Sequence, residues 1–389
     1  MAQTYAAKYL LKAAVSAPRD ILNSVVARHQ PIPPTVLIYN VTFVCDARCE
    51  MCSNWQRGDR KVDMTIEQIE RVFRSPLWQQ VEMANLSGGE PTTRNDLVDI
   101  SRVLIERLPK LRKIGINTTG LTPHRAIPML TQTAELCARH DVMFSARVSI
   151  DGIGEMHNDV RQVKRGFDKA LETIRAMQAL QKRVPFNFGI STTLFNKNLD
   201  DGENILSWAK TEGLDIVFNM VRFTDPMLGN GDLAEACQPI GPEEERLRQF
   251  FLERVRMDPV LDGQSYIHLH YADMIGNGYH RLAPCPFQSQ GIMLNPDGGL
   301  FFCENSESIG NVLQDDPEEL YFRKSSQDHR DHVRDEKCPT CLSPCQINVA
   351  AVKQVVPYVK FLVRASRLKR QPAGGHERLA DPVGGLSVR

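Results

Sequence analysis

The sequence has no excess of charge of either sign and no long apolar run. Its 389 residues contain 47 Lys and Arg against 47 Asp and Glu, so it lacks the basic field with which proteins bind nucleic acid. It has no run of about 18 apolar residues, the length that a membrane-spanning helix needs. Lys8 and Lys12 interrupt the apolar N-terminal stretch that a secretory signal would require. We therefore expect a cytoplasmic globular protein without a nucleic-acid partner.

Basic residues are concentrated at the two ends of the chain. Residues 346–376 contain basic side chains and no Asp or Glu, and apolar residues recur there at helical spacing, as at Val356, Val359 and Val363. Such a basic amphipathic helix can contact an anionic membrane surface or an anionic substrate, or it can pack on the domain with a solvated basic face. We favour the packed surface helix, and peripheral membrane contact through the basic ends stays open.

Six strand candidates alternate with helical segments in the first two thirds of the chain. The strands are predicted at residues 35–42, 81–87, 113–118, 142–150, 187–194 and 215–223. This alternation predicts an α/β fold with a parallel sheet. Polar residues and glycines cluster directly after the strands, which favours a partial (β/α)6 TIM-like barrel with its active site at that edge over an open Rossmann-like sheet.

The alternation stops after Gly229, which suggests further segments. We expect a small C-terminal cysteine-rich module, with short strands at 291–294 and 299–302 around a turn. The expected organisation is an N-terminal helical extension (1–34), the barrel (35–230), a helical linker (231–280), the cysteine-rich module (281–348), the basic helix (349–371) and a disordered tail (372–389).

Eight of the ten cysteines fall into two groups. The first comprises Cys45, Cys49 and Cys52, and the second Cys285, Cys303, Cys338, Cys341 and Cys345. In a chain without a secretory signal, such tight spacings indicate metal ligation rather than disulfides.

The first group has the spacing C-x3-C-x2-C and directly follows the first predicted strand. A structural zinc site needs four protein ligands, and no histidine lies near enough in sequence to supply the fourth. A four-iron cluster held by only three cysteines keeps one iron free to bind another molecule. The missing fourth ligand therefore favours an iron–sulfur cluster.

This arrangement resembles the radical S-adenosylmethionine (SAM) superfamily, and two further segments support the resemblance. Ser87-Gly88-Gly89-Glu90-Pro91 follows the second strand, and Ser149-Ile150-Asp151-Gly152 follows the fourth, with His157 and Arg161 after it. The resemblance implies that the open iron of a [4Fe–4S] cluster chelates SAM. One electron then cleaves SAM to methionine and a 5′-deoxyadenosyl radical, which abstracts hydrogen from the substrate.

The resemblance also implies roles for particular residues. The Ser87–Glu90 segment would meet the SAM amino group, Ser149 would lie near its methionyl or ribose part, and Arg161 would pair with its carboxylate. If the strands form a barrel, Asn117 and Thr118 after the third strand would face its mouth, and so would Ser191 or Thr193 on the fifth. Asp151 and His157 either contact the ligand or serve as a turn cap and a surface histidine. Met51 stands where the family usually has an aromatic residue, which removes ring stacking on adenine.

The second cysteine group resembles the SPASM and twitch class of C-terminal extensions, which hold auxiliary [4Fe–4S] clusters. The usual SPASM pattern has more cysteines and two clusters, so the five here imply one auxiliary cluster. Which of Cys338, Cys341 and Cys345 is spare stays open. The alternative is a zinc ribbon, because C-x2-C with two distant thiolates can hold zinc tetrahedrally.

Glu304 directly follows Cys303 and is the predicted catalytic residue. A carboxylate beside the auxiliary cluster could accept the proton released when a substrate is oxidised. The alternative is an ordinary charged loop residue.

Three functional hypotheses follow. The first two are radical SAM enzymes, which would take their electron from a reductant such as flavodoxin or ferredoxin. One oxidises, dehydrates or epimerises a small or lipid- or sugar-linked molecule, and we prefer it because of the single auxiliary cluster and the basic ends. The other is a maturase of a ribosomal peptide. The third is a non-catalytic iron–sulfur or zinc protein.

Overall fold

The computed structural model describes residues 30–224, 228–258, 261–282, 285–343 and 355–370, together with Pro18, Leu22 and Val26. Most of the predicted N-terminal extension, all of the predicted tail and Cys345 lie outside these residues. Within the described part of the chain, every helix is too short or too polar to cross a membrane.

Six parallel strands lie side by side in their order along the chain. They are β1 (Val36–Thr42), β2 (Met83–Gly88), β3 (Lys113–Thr118), β4 (Met143–Ser149), β5 (Asn187–Leu194) and β6 (Asp215–Met220). All six carboxyl ends therefore meet at one edge of an open sheet, which confirms the partial-barrel prediction. The last strand is shorter than predicted, because the chain leaves the sheet after Met220 and the Asn230 side chain binds the carbonyl of Arg222.

Helices connect these strands and continue after them. They are α1 (Ile66–Val72), α2 (Leu97–Arg107), α3 (Pro123–Arg139), α4 (Glu155–Arg161), α5 (Gly166–Gln181), α6 (Gly202–Thr211), α7 (Ala234–Cys237), α8 (Pro242–Met257), α9 (Gly263–Gly276), α10 (Pro317–Phe322), α11 (Lys324–His332) and α12 (Val355–Lys369). Local chemistry sets some of the boundaries. Helix α1 begins after Thr65, whose side chain accepts from the backbone N–H of Gln68 while Gln68 bonds back to Thr65.

Alternate residues of the strands point to opposite faces of the sheet. Ile114 and Ile116 of β3 are fully buried in the main core, with Phe144 and Val148 of β4. Their neighbours on the other face line the interior of the partial barrel, as Gly115 does. The apolar positions thus stabilise the fold, and the remaining positions are available for a site.

The cysteine-rich module extends the barrel sheet. Its strand β7 (Gly291–Leu294) pairs in parallel with β1, and β8 (Gly299–Phe301) and β9 (Ser308–Asn311) follow as antiparallel strands. This pairing places Cys285 and Cys303 beside the first strand of the barrel, where they pack with Val36 and Ile38.

The described part of the predicted basic helix, α12, packs on α8 and α9. Phe361, Ala365 and Leu368 are buried in the second core cluster, while the side chains of Val359 and Val363 are about half exposed. Packing on the domain is what we expected of a surface helix. Membrane contact through the exposed face stays a prediction.

Candidate functional site

The first cysteine group lies in the loop after β1, at the carboxyl edge of the sheet. Cys45, Cys49 and Cys52 line one cavity of about 230 Å³, here called the upper cavity. The same cavity is lined by seven further residues that the sequence predicted, namely Ser87, Gly88, Gly89, Glu90, Asn117, Ser149 and Arg161. Ser191 is not among its lining residues and lies in a larger cavity inside the barrel.

The chemistry of this donor set suits an iron–sulfur cluster. Burial raises the pKa of all three thiols, that of Cys49 to about 11, so the thiolate forms need nearby positive charge. Iron supplies that charge when it binds. Among the described residues, no three His, Cys, Asp or Glu side chains converge on a point that would hold a single metal ion. A four-iron cube spaces its thiolate ligands more widely than a single ion does.

The two glycines after β2 allow the loop that carries the cysteines to approach closely. A Cβ atom added to Gly88 would lie 2.0 Å from the carbonyl oxygen of Thr42, and one added to Gly89 would lie 2.3 Å from that of Val44. Gly88 also has a φ of +122°, which favours glycine. These two positions therefore set the distance between the end of β2 and the Cys45 loop.

Glu90 joins the ends of β2 and β3. Its Oε1 accepts from the hydroxyls of Thr92 and Thr118, and its Oε2 accepts from the backbone N–H of Thr119 at 2.6 Å. Burial raises the pKa of this carboxyl, and the charge of Asp46 raises it further. Glu90 therefore accepts several hydrogen bonds from the protein itself, at the wall of the upper cavity.

Arg161, at the end of α4, is held between an acid and a cluster cysteine. Its Nη2 lies 2.5 Å from Oδ2 of the fully buried Asp151, and its Nη1 lies 3.5 Å from Sγ of Cys49. His157 is buried too, and its Nδ1 accepts from the backbone N–H of Asp151. Because burial lowers the pKa of His157 to about 3, its ring is neutral. Asp151 and His157 thus orient the end of this segment.

The upper cavity also contains residues that the sequence analysis did not select. They are Ala47, Asn54, Trp55, Thr119, Met220, Val221, Arg222 and Leu228. Thr118 and Thr193, which were expected at the barrel mouth, line the cavity too, as does Met51. Trp55 supplies an aromatic ring to the wall of the same cavity that Met51 lines. Arg222 comes just after β6. Its position after a strand is the only signal in the sequence that could have indicated a site residue there.

The four described cysteines of the second group line a separate cavity, here called the lower cavity, beside β7 and β8. Cys285, Cys303, Cys338 and Cys341 all line it. The guanidinium of Arg281 donates to the carbonyl oxygens of Cys341 and Ser343 and so fixes the C-x2-C loop. Burial raises the pKa of these four thiols, that of Cys285 to about 11.

One ion pair joins the walls of the two cavities. Oε2 of Glu304, which lines the lower cavity, lies 3.1 Å from Nη2 of Arg222, which lines the upper cavity. Glu304 is only 2% exposed. The predicted catalytic carboxylate is therefore a buried, paired group between the two cysteine sites.

A third cavity of about 720 Å³ occupies the inside of the partial barrel. Ser87, Asn117, Ser149, Thr193 and Arg222 line both this chamber and the upper cavity, so the two adjoin.

Comparison with known proteins agrees with this geometry. Residues 39–209 match the model of the Radical SAM superfamily. The chain is 25% identical to the mycofactocin maturase MftC of Mycolicibacterium smegmatis over 289 residues, which cover 72% of this chain and 68% of that protein. It is 29% identical to molybdenum cofactor biosynthesis protein 1 of Mus musculus over 49% of this chain, but spans only 28% of that protein.

Solved structures share the fold. SuiB of Streptococcus suis, crystallised with S-adenosylmethionine, superposes with a TM-score of 0.52 at 14% identity. The match covers 86% of this chain and 78% of SuiB. The same protein has also been solved with its precursor peptide SuiA, and that structure superposes with a TM-score of 0.51.

Proposed function

Residues 39–209 are a radical SAM domain, and from that premise we propose that this enzyme abstracts hydrogen from a carbon of a small polar substrate. The outcome would be an oxidation, a dehydration or an epimerisation. One observation carries the proposal: the cavity lined by Cys45, Cys49 and Cys52 adjoins a large polar chamber inside the barrel.

We propose that these three cysteines hold the SAM-binding [4Fe–4S] cluster. When bound, the reduced cluster and SAM together supply a 5′-deoxyadenosyl radical. The chain's own contribution is to bind, orient and exclude water. Ser87, Gly88, Gly89 and Glu90 would form the wall for the SAM amino group, and Asn117 and Ser149 line the same space.

Arg161 would bind the SAM carboxylate, with Asp151 as its positioning residue. The 2.5 Å contact to Asp151 fixes one edge of the guanidinium, and an arginine has donors left for a second anion. A buried pair of this kind holds the side chain in one orientation before the ligand arrives. Ser191 would act on the substrate side, because it lines the chamber.

We propose that Cys285, Cys303, Cys338 and Cys341 hold one auxiliary [4Fe–4S] cluster. The support is that all four thiols line one cavity, with the C-x2-C loop fixed by Arg281. Cys345 stays a candidate outside the described residues. The role of Glu304 as proton acceptor stays a prediction, and its pairing with Arg222 places it between the two cysteine sites.

A second candidate is the modification of a peptide, which the comparisons favour. One relative is a maturase, and SuiB binds a precursor peptide. We keep the small substrate as the first candidate, because the chamber wall combines amide and hydroxyl groups with fixed charges.

Metal analysis of anaerobically purified protein tests the cofactor assignment. Two four-iron clusters predict about eight iron atoms per chain and a brown protein. The C285A/C303A double variant should retain about four, and the C137A variant, which changes a lone buried cysteine, should retain about eight. A colourless protein with stoichiometric zinc would contradict the proposal.

A further inference from the structure

On β3, β4 and β5 the inner face of the partial barrel carries small and polar residues, where closed barrels carry bulky branched ones. Gly115, Ser145, Gly189 and Ser191 lie on neighbouring strands of the parallel sheet, within the register of β3, β4 and β5. A Cβ atom at Gly189 would lie 2.4 Å from the backbone oxygen of Asp215 and 2.8 Å from Nη1 of Arg147, so this glycine makes room for both. The interior therefore stays open, with about 720 Å³ of space. Small-molecule sites commonly have such a volume.

The chamber extends from the upper cavity toward the opposite end of the strands. Asn117 lines both cavities, and Lys113 lines the chamber at the beginning of the same strand. Four residues of an extended strand span roughly 13 Å. A compact molecule that reaches Lys113 can thus keep a carbon atom beside the predicted SAM site.

The chamber wall has one positive charge that no acid in the described structure compensates. Nη2 of Arg147 lies 2.5 Å from Oδ2 of Asp215, the only carboxylate among the described residues of the wall. Arg222 is paired with Glu304. Lys113 has no ion-pair partner among the described residues, and its neighbour Arg147 repels it.

The pKa of Lys113 is the one expected of a buried amine that lacks a nearby anion. Burial lowers this pKa to about 8, and the charge of Arg147 lowers it further. An anion bound between the two side chains would reverse both effects, since it favours the charged amine.

Besides apolar side chains such as Phe188 and Val217, the wall offers groups that can both donate and accept hydrogen bonds. Asn85, Asn117, Asn219 and Ser145 line the chamber, and within the described structure their side chains make no hydrogen bond to protein. Amides and hydroxyls that are free in this way complement the hydroxyl groups of a ligand. Ligand pockets are usually more apolar than this one.

We propose that the chamber is the substrate site and takes an anionic, polyhydroxylated small molecule. Its phosphate or carboxylate group lies at Lys113 beside Arg147, and its hydroxyl groups meet the asparagine and serine side chains. The inference rests on the proposed function and names the substrate class for the same site.

Calorimetric titration of the anaerobic holoenzyme tests this assignment. The probes are glucose 6-phosphate, inorganic phosphate, glucose and a neutral peptide. We expect saturable binding of glucose 6-phosphate, weaker binding of phosphate, and at least a tenfold loss of affinity for both in K113Q. The K210Q variant removes the same charge from an exposed position of α6 and should bind as the unmodified protein does. No saturable binding of either phosphate compound, equal affinity in K113Q, or preference for the peptide overturns the proposal.

Amine labelling of the unmodified protein provides a second readout, which does not depend on the folding of K113Q. Glucose 6-phosphate should slow the acylation of Lys113 severalfold, as measured by peptide mass spectrometry, and leave Lys210 unchanged. Equal labelling with and without the probe overturns the proposal. Reductive SAM cleavage without substrate does not involve Lys113, so a failure here is distinguishable from a failure of the radical SAM assignment.

Discussion

Nη2 of Arg222 lies 3.1 Å from Oε2 of Glu304, and these residues belong to the walls of two different cysteine-lined cavities. Glu304 is almost completely buried, whereas the Arg222 side chain is 27% exposed. The pair therefore neutralises a buried carboxylate at the junction of the two sites. It also fixes the end of β6 against the cysteine-rich module.

Replacement of Arg222 by Gln should destabilise the protein, because it leaves the Glu304 carboxylate buried and unpaired. We expect a loss of about 2–3 kcal/mol in the free energy of unfolding. This is at or below the lower end of the range that is typical when a buried ion pair is broken, because Arg222 is partly exposed. Urea denaturation under anaerobic conditions measures it. The R222Q/E304Q double variant should recover part of the loss. Equal stability of the single and double variants would contradict a direct coupling.

Replacement of Asp151 by Asn should weaken SAM binding and leave cluster assembly intact. The amide cannot pair with Arg161 as a carboxylate does, so the guanidinium loses its fixed orientation. Replacing a residue that orients a ligating side chain typically lowers the affinity for what is bound by 10–100-fold. We therefore expect the SAM dissociation constant to rise about 10-fold. Equilibrium binding with iron quantification measures both quantities.

The matched control for Asp151 is D168N, which removes a carboxylate that pairs with Arg165 on the exposed surface of α5. SAM affinity should not change in that variant. If D151N binds SAM as tightly as D168N does, Arg161 does not depend on Asp151 for its role.

The free energy of unfolding should decrease as the pH is lowered, because His157 is buried in its neutral form. The folded-state pKa is about 3 and the unfolded value is 6.5, so the unfolded chain binds the extra proton first as the pH falls. The stabilisation is complete above pH 6.5 and is lost progressively as the pH approaches 3. Over the one pH unit below 6.5 the loss from this residue is about 1 kcal/mol.

The H157N variant can still accept from the backbone N–H of Asp151, but it has no titrating ring. Its free energy of unfolding should therefore decline less between pH 6.5 and 5.5 than that of the unmodified protein. His124 is exposed, and H124N should keep the original slope. A slope in H157N equal to that in H124N would show that His157 is not the titrating group.

Sequence patterns predicted those features that depend on neighbouring residues. The bounds of β3 and β5 were predicted correctly from local alternation and turn residues. The cysteine loop could be placed because it follows a strand, and the carboxyl ends of parallel strands meet at one edge. These arguments need no knowledge of distant contacts.

Features that depend on distant pairs could not be predicted in this way. The pairing of β1 with β7 joins segments far apart in the chain, and so does the contact between Arg222 and Glu304. The hydrogen bonds of Glu90 to Thr118 and Thr119 depend on the register of β2 against β3. The open interior at Gly115 and Gly189 likewise becomes visible only when the strands are placed side by side.

Reductive SAM cleavage by the C45A/C49A/C52A variant tests the central assignment most directly. The reconstituted protein, with SAM and dithionite, should form methionine and 5′-deoxyadenosine, and the C137A control should form them at the same rate. The triple variant should form neither, although it retains the four described cysteines of the lower cavity. Formation of 5′-deoxyadenosine by the triple variant at the control rate would contradict the assignment of these three thiols to the SAM-binding cluster.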